Sequence, residues 1–219
     1  MRTVLVVNPK GGCGKTTVAT NLSAGLAAQG GKVLLLDLDR QQSSRTWLSM
    51  RPAHLPRIVS LDRDADPREH GKADWLVIDS PAGIHGKSLS HALKLADKVV
   101  VPVQPSLFDM AATAEFLQVL SSEKAVRRHK EFVGIIGARV DQRTRAAATL
   151  EAFLGQFDLP ILTFLRDSQV YPNAAFNGLS IFDLPPSAAE RDHEQWQAVL
   201  AWVGRAVHEP RRQPSEADS

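Results

Sequence analysis

The chain has 219 residues, 43% of them hydrophobic, with 26 Lys+Arg against 24 Asp+Glu and a formal net charge of +2. That is enough apolar material for one substantial core and little for two, and the balance is too even to identify a partner by total charge. A single cysteine excludes a disulfide framework and a cysteine-based metal site within one chain, and it suits a reducing compartment.

The opening MRTVLVVNPKGG carries an apolar run too short for a signal peptide. No stretch reaches the roughly 18 apolar residues of a membrane span, so a soluble intracellular protein is expected. Thr3–Val7 reads as a buried strand, and Thr16–Gln29 as a helix with Val18, Leu22 and Leu26 on one face. Strands follow at Lys32–Leu36, at Ile58–Leu61 within a Pro-, Arg- and Asp-rich surface connection (52–71), at Trp75–Ile78 and at Lys98–Val103. Ser88–Leu95 is helical, and Asp109–Val126 is a longer helix with Met110, Ala114, Leu117 and Leu120 in register. Phe132–Ile136 is a strand, Ala146–Phe157 a helix with Leu150, Phe153 and Leu154 inward, and Pro160–Phe164 a short strand.

The last helix starts at Ser187, where Ser187 and Glu190 fit a capping box. Trp196, Val199, Leu200, Val203 and Val207 form its stripe, and Trp202 falls off it, free to face a partner. Apolar strands alternating with amphipathic helices predict an α/β fold: a mostly parallel central sheet with helices on both faces. One domain over 1–208 is expected, followed by a polar, disordered tail over 209–219.

The sharpest local signal is Lys10-Gly11-Gly12-Cys13-Gly14-Lys15-Thr16-Thr17, placed between a predicted strand and a predicted helix. Glycines let backbone N–H groups turn inward around phosphate oxygens, and the following helix adds the positive end of its dipole. Lys15 is placed to reach β- and γ-phosphates, and the Thr16 hydroxyl to bind Mg²⁺. A Gly-rich turn with a chance Lys-Thr is the plain alternative, and the strand–loop–helix setting disfavours it.

Pro9 stands where the ordinary phosphate loop has Gly, and an additional lysine, Lys10, follows it. This resembles the deviant Walker A loop, KGGxGK[ST], of the ParA/MinD family of ATPases. The resemblance implies a P-loop NTPase fold, ATP and Mg²⁺ as ligands, and slow hydrolysis of ATP stimulated by a partner. It makes Lys10 the lysine that crosses a dimer interface to the partner's nucleotide, and Lys15 the phosphate lysine in cis. Gly11, Gly12, Cys13, Gly14, Lys15, Thr16 and Thr17 then form the nucleotide cradle.

Val33–Gln41 looks like the family's DxDPQ segment, with Arg40 in place of Pro. Two carboxylates at i and i+2 leaving a strand tip point to one side. By resemblance Asp39 is the catalytic carboxylate and Asp37 supports the metal region. Leu76–Gly83 resembles the Walker B strand, with Asp79 at its tip to hold a Mg²⁺-bound water; Ser80 and Ala82 depart from the usual DTPPG. Val99–Ser106 followed by Asp109 is read as a strand leading to a dimer-facing loop, though a strand and a helix cap explain it nearly as well. Gly137-Ala138-Arg139-Val140 occupies the place where the family often has Asn-Arg-Val, whose Asn helps read adenine.

Two further surfaces are implied by the family. A MinD-like membrane mode needs an amphipathic C-terminal helix. The residues 208–219 contain two prolines and nothing apolar larger than Ala, so no membrane partner is expected. A ParA-like mode needs clustered cations on non-specific DNA. Lys124, Arg127, Arg128, Lys130, Arg139, Arg143 and Arg145 crowd together against Glu123, Glu131 and Asp141; Arg166, Arg205, Arg211 and Arg212 follow. Such a run is by default a solvated face.

The leading expectation is thus an ATP-dependent homodimer, cytoplasmic and nucleoid-associated. It would position a plasmid or large protein assembly through a cognate adaptor or activator. The first predicted strand starts at residue 3, so no N-terminal operator-reading module is expected. Alternatives are a MinD-like membrane-site regulator, an iron–sulfur carrier, disfavoured by the lone Cys13, and a nucleotide-dependent binding module with negligible turnover.

Overall fold

A computed structural model of the chain describes residues 1–122 and 132–205. Its elements are β1 (Arg2–Val6), α1 (Lys15–Ala28), β2 (Val33–Asp37), α2 (Ser43–Met50), β3 (Ile58–Leu61), β4 (Trp75–Asp79), α3 (Gly86–Leu95), β5 (Lys98–Val103), α4 (Leu107–Ser122), β6 (Val133–Val140), α5 (Arg145–Leu154), β7 (Ile161–Arg166), α6 (Val170–Ala175) and α7 (Pro186–Gly204). Short 3-10 turns lie at Pro67–His70 and Ile181–Asp183.

The strands form one seven-stranded sheet in the order β3-β2-β4-β1-β5-β6-β7, and each adjacent pair is parallel. Strand side chains alternate between faces. Leu5, Val7, Leu34, Val99 and Val101 therefore meet α3, α4 and α5 on one side. Val4, Val6, Val33, Leu35 and Val100 meet α1, α2 and α7 on the other. A sheet covered on both faces needs near-continuous apolar strands, as the sequence has.

Register then positions the site. Val6 lies opposite Asp79, and Asp37 opposite Asp79 on the other side. The segment that follows β1 and both acidic strand tips thus emerge at one level, the C-terminal end of the sheet, where ligands of open parallel sheets bind.

Most predicted elements lie within two residues of their observed limits. The exceptions are Phe132–Ile136, whose strand runs on to Val140, and Ala146–Phe157, whose helix ends at Leu154; the Asp109–Val126 helix starts at Leu107 and is described as far as Ser122. Four short helical pieces, α2, α6 and the Pro67–His70 and Ile181–Asp183 turns, were not anticipated, because they are too short to show a period. α1 is buried around most of its circumference rather than on one face, since α7 and the Ile181–Asp183 turn close over it. A Cβ on Gly25 would meet Phe182 Cε2 at 2.7 Å, so a larger residue there would have to displace the Phe182 ring.

Two expectations at the last helix are corrected. The Ser187/Glu190 capping box does not form: Pro185 takes the N-cap and Pro186 opens the helix, so Ser187 already lies inside the first turn. The capping box is instead Ser180/Asp183, on the turn before it. Trp202 does not face outward. It is 6% exposed in the core, with the Lys98 ammonium 4.3 Å above its ring. A kink at Ala189 precedes the turns that carry Trp196 and Trp202. The tail expectation, 209–219, lies outside the described residues, as does Val207.

Candidate functional site

The loop between β1 and α1 is held from behind. Asn8 is fully buried, and its side chain donates to the Pro102 carbonyl (2.9 Å) and to Thr113 Oγ1 (3.1 Å) while accepting the Lys10 N–H (2.9 Å). Gln104 Nε2 donates to the Gly12 carbonyl at 2.8 Å, tying the segment after β5 to the loop. Gly12 and Gly14 have φ of +79° and +98°, a region open to glycine. They curl the chain so that α1 begins at Lys15 with Gly14 as its N-cap.

The two lysines of the loop differ in their surroundings. Lys15 is 7% exposed and folds inward, its Nζ donating to the Lys10 carbonyl at 2.7 Å. The Lys10 side chain is half-buried and makes no ion pair among the described residues. Cys13 Sγ also donates to the Lys10 carbonyl, at 3.2 Å, and burial pushes its thiol above the ordinary range. Such a thiol is inert, and it is not on a surface where thiolates of two subunits could hold a cluster.

The three carboxylates differ in state. Asp37 is satisfied: Oδ1 accepts the Asp39 N–H, and Oδ2 accepts the Ser44 N–H, the Ser44 hydroxyl and the Arg45 N–H at 2.8–3.2 Å. It caps the start of α2 from the strand tip, with Oδ2 fully engaged and Oδ1 accepting a single bond. Asp39 is half-exposed, accepting the Gln41 N–H (3.0 Å) and the Ala82 N–H (3.3 Å). Those backbone donors, Gln41 first, hold its carboxyl below the usual range.

Asp79 is the opposite case. It is 1% exposed, and neither oxygen has a well-formed hydrogen bond among the described residues. Burial pushes its carboxyl up to about 7, with the Asp37 charge adding to the rise and the nearby Thr16 and Ser44 hydroxyls and Lys15 opposing it. An orphaned buried carboxylate beside Thr16 has the chemistry of a divalent-cation site, through a bound water or directly. The residues therefore fit Mg²⁺, with Thr16 and the orphaned Asp79 as its nearest donors and Asp37, largely engaged by backbone and Ser44 donors, beside them.

Lys15, Thr16, Thr17, Gly11, Gly12, Gly14, Asp39 and Ala82 line one cleft of about 810 Å³. A smaller recess of about 400 Å³ opens beyond Gly12, Gly14 and Thr17, walled by Ala138, Leu165, Tyr171, Pro172 and Gln104. Sequence reading missed Asn8, Gln104 as a loop clamp, and Ser44. An uncharged amide or hydroxyl leaves no pattern that marks its partner.

The basic candidates are not one free patch. Arg139 pairs with Asp167 (3.0 Å), Arg143 with Asp141 (3.0 Å) and Arg166 with buried Asp192 (2.6 Å). Arg145 and Arg205 are exposed, with no ion pair among the described residues. Lys124, Arg127, Arg128, Lys130, Arg211 and Arg212 lie outside the described residues.

Comparison with known proteins agrees with this geometry. The CobQ/CobB/MinD/ParA nucleotide binding domain matches residues 4–181. The chain is 34% identical over 214 residues to the maintenance of carboxysome distribution protein A of Gloeobacter kilaueensis, covering 93% of this chain and 94% of that one. It is 30% identical over 190 residues to the protein of that name from Halothiobacillus neapolitanus, covering 83% and 87%. Among solved structures, the Aquifex aeolicus MinC:MinD complex superposes with a TM-score of 0.69 at 19% identity, covering 96% of this chain and 99% of that one. A Cyanothece McdA–ATP complex superposes at 0.65 with 20% identity, covering 91% and 96%. With a lysine-flanked glycine loop, two acidic strand tips at its level and this match across most of its length, the chain belongs to the CobQ/CobB/MinD/ParA nucleotide-binding domain family.

Proposed function

We propose that the protein is a ParA-type ATPase that dimerises on ATP, binds DNA without sequence preference and positions a cargo over the nucleoid. The observation that carries this reading is the division of labour within one loop: Lys15 is folded inward, and Lys10 is half-buried with no ion pair among the described residues. One lysine serves phosphates in cis, and the other is available to a second subunit. Leu107 and Phe108, 73% and 77% exposed at the start of α4, supply apolar surface for a partner to cover.

Triphosphate lies along Gly11–Thr17, and the base enters the recess beyond Gly14. There Ala138 offers packing and no hydrogen bond, so backbone groups and apolar walls must hold the ring. Thr16 and Asp79 would hold Mg²⁺, which would neutralise charge on the phosphates. Asp39, held ionised by backbone donors, orients the attacking water. Loss of the γ-phosphate leaves Lys10 facing less negative charge, and the pair of subunits weakens.

Of the described DNA candidates, Arg145 and Arg205 make no ion pair, and dimerisation would double them. The carboxysome-distribution relatives favour a protein assembly as cargo, reached through an adaptor that stimulates turnover. A cytoplasmic, nucleoid-bound location follows, and no described helix is long and apolar enough to cross a membrane. The test is DNA retention with ATP, with ADP and without nucleotide, read alongside light scattering. ATP-only retention by a dimer is expected; equal retention in all three states would overturn the cycle.

A further inference from the structure

At the opposite end of the sheet from the nucleotide cleft lies a separate recess of about 660 Å³. Its walls are the Gly30–Gly31 turn after α1, Lys32 ahead of β2, Arg57 ahead of β3, and His70 and Lys72 ahead of β4. Lys32, Arg57 and Lys72 are exposed and make no ion pair among the described residues. Among the described residues, no carboxylate lines the recess. Asp74, just beyond Lys72, turns its carboxylate to the Lys32 backbone N–H at 2.8 Å.

The recess adjoins β3, which ends the sheet and pairs only with β2. The outer edge of β3 therefore has backbone groups without a strand partner among the described residues. A second recess of about 450 Å³ lies on its other face, bordered by Ile58, Ser60 and Leu48, with Arg57 common to both. Val59 points to the first recess and Ile58 and Ser60 to the second, as strand alternation requires. The arginines of the second are neutralised: Arg45 pairs with Asp62 and Arg51 with Asp183.

We propose that this edge accepts an extended acidic peptide segment of a partner protein, added as a strand beside β3 with its carboxylates over Lys32, Arg57 and Lys72. Strand addition draws affinity from main-chain hydrogen bonds and specificity from pockets for alternate side chains. Both kinds of contact are present here. Like-charged residues on a short edge repel a second copy of the same edge, while the same rim attracts a chain of opposite sign. A DNA duplex is a stiff rod with its phosphates outermost; a recess flanking a strand edge fits a single extended chain better. The surface is remote from the nucleotide cleft and does not rest on the ATPase reading.

The test uses the full chain without nucleotide and a fluorescein-labelled peptide of alternating Glu and Val, about ten residues long, read by anisotropy at low salt. Saturable binding is expected, weakened at least about tenfold in the triple variant Lys32→Glu/Arg57→Glu/Lys72→Glu. Lys72→Glu alone, on an exposed side chain, gives a smaller loss in the same direction if the triple variant misfolds. A peptide N-methylated at alternate residues loses binding. Equal affinity in wild type and the charge-reversed variants overturns the proposal, and so does full binding of the N-methylated peptide. Binding of a short duplex in preference to the peptide, abolished by the same variants, reassigns the edge to nucleic acid and also overturns it.

Discussion

Lys15 and Asp79 show how one residue's surroundings set its chemistry. Lys15 Nζ is parked on the Lys10 carbonyl and has only to rotate to meet an incoming phosphate. Lys15→Ala removes charge-assisted hydrogen bonds worth about 1.5–3 kcal/mol each, so nucleotide affinity should fall at least about tenfold, measured with a fluorescent ATP analogue. Asp79 is held largely neutral until about pH 7, against an ordinary value of 3.8. A carboxyl that keeps its proton longer when folded stabilises the fold in acid. Its contribution is complete below 3.8 and gone above about 7. The nucleotide-free protein should therefore lose stability as pH rises through that window, by about 4 kcal/mol at most. Asp79→Asn should flatten that profile and raise the melting temperature at pH 8, while weakening Mg²⁺-dependent nucleotide binding. A steeper profile in the variant would contradict this account of the buried carboxyl. Asp39→Ala should leave binding intact and trap the ATP-bound dimer; a wholly monomeric variant by light scattering would count against its role.

At the scale of elements, the C-terminal end of α2 and the Ile181–Asp183 turn are joined by a nearly dry ion pair. Arg51 and Asp183 form two hydrogen bonds of 2.8 and 2.9 Å, with side chains only 4% and 3% exposed. Asp183 also closes the capping box with Ser180. Removing one member leaves a buried charge without its counterpart, so Asp183→Asn should cost about 3 kcal/mol. In a chain of this size that is a fall of roughly 6–12 °C in melting temperature by calorimetry, with nucleotide affinity less affected. The turn was not legible in the sequence, since Arg51 and Asp183 are far apart along the chain and each resembles a surface charge. β1, β2, β4 and β5 were legible because burial on both faces demands unbroken apolar runs.

For the whole molecule, the decisive question is whether fuel state governs assembly. Lys10→Ala should still bind ATP in cis yet remain monomeric, because its side chain is not engaged within its own subunit. Multi-angle light scattering with a non-hydrolysable analogue checks this, and a dimer as tight as wild type would refute it. DNA binding, if carried by Arg145, Arg205 and their dimer mates, should weaken with rising salt, each lost phosphate contact lowering the slope by about one. The sequence by itself determined the α/β class, the glycine loop with its two lysines, and the acidic strand tips, because these are local patterns of period, flexibility and charge. Only tertiary structure decided which lysine is buried, that Asp37 is hydrogen-bonded while Asp79 is orphaned, and that Arg139, Arg143 and Arg166 are already paired with carboxylates. Those outcomes depend on parallel register and on partners remote in sequence, and no single segment encodes the neighbours that folding will bring to it.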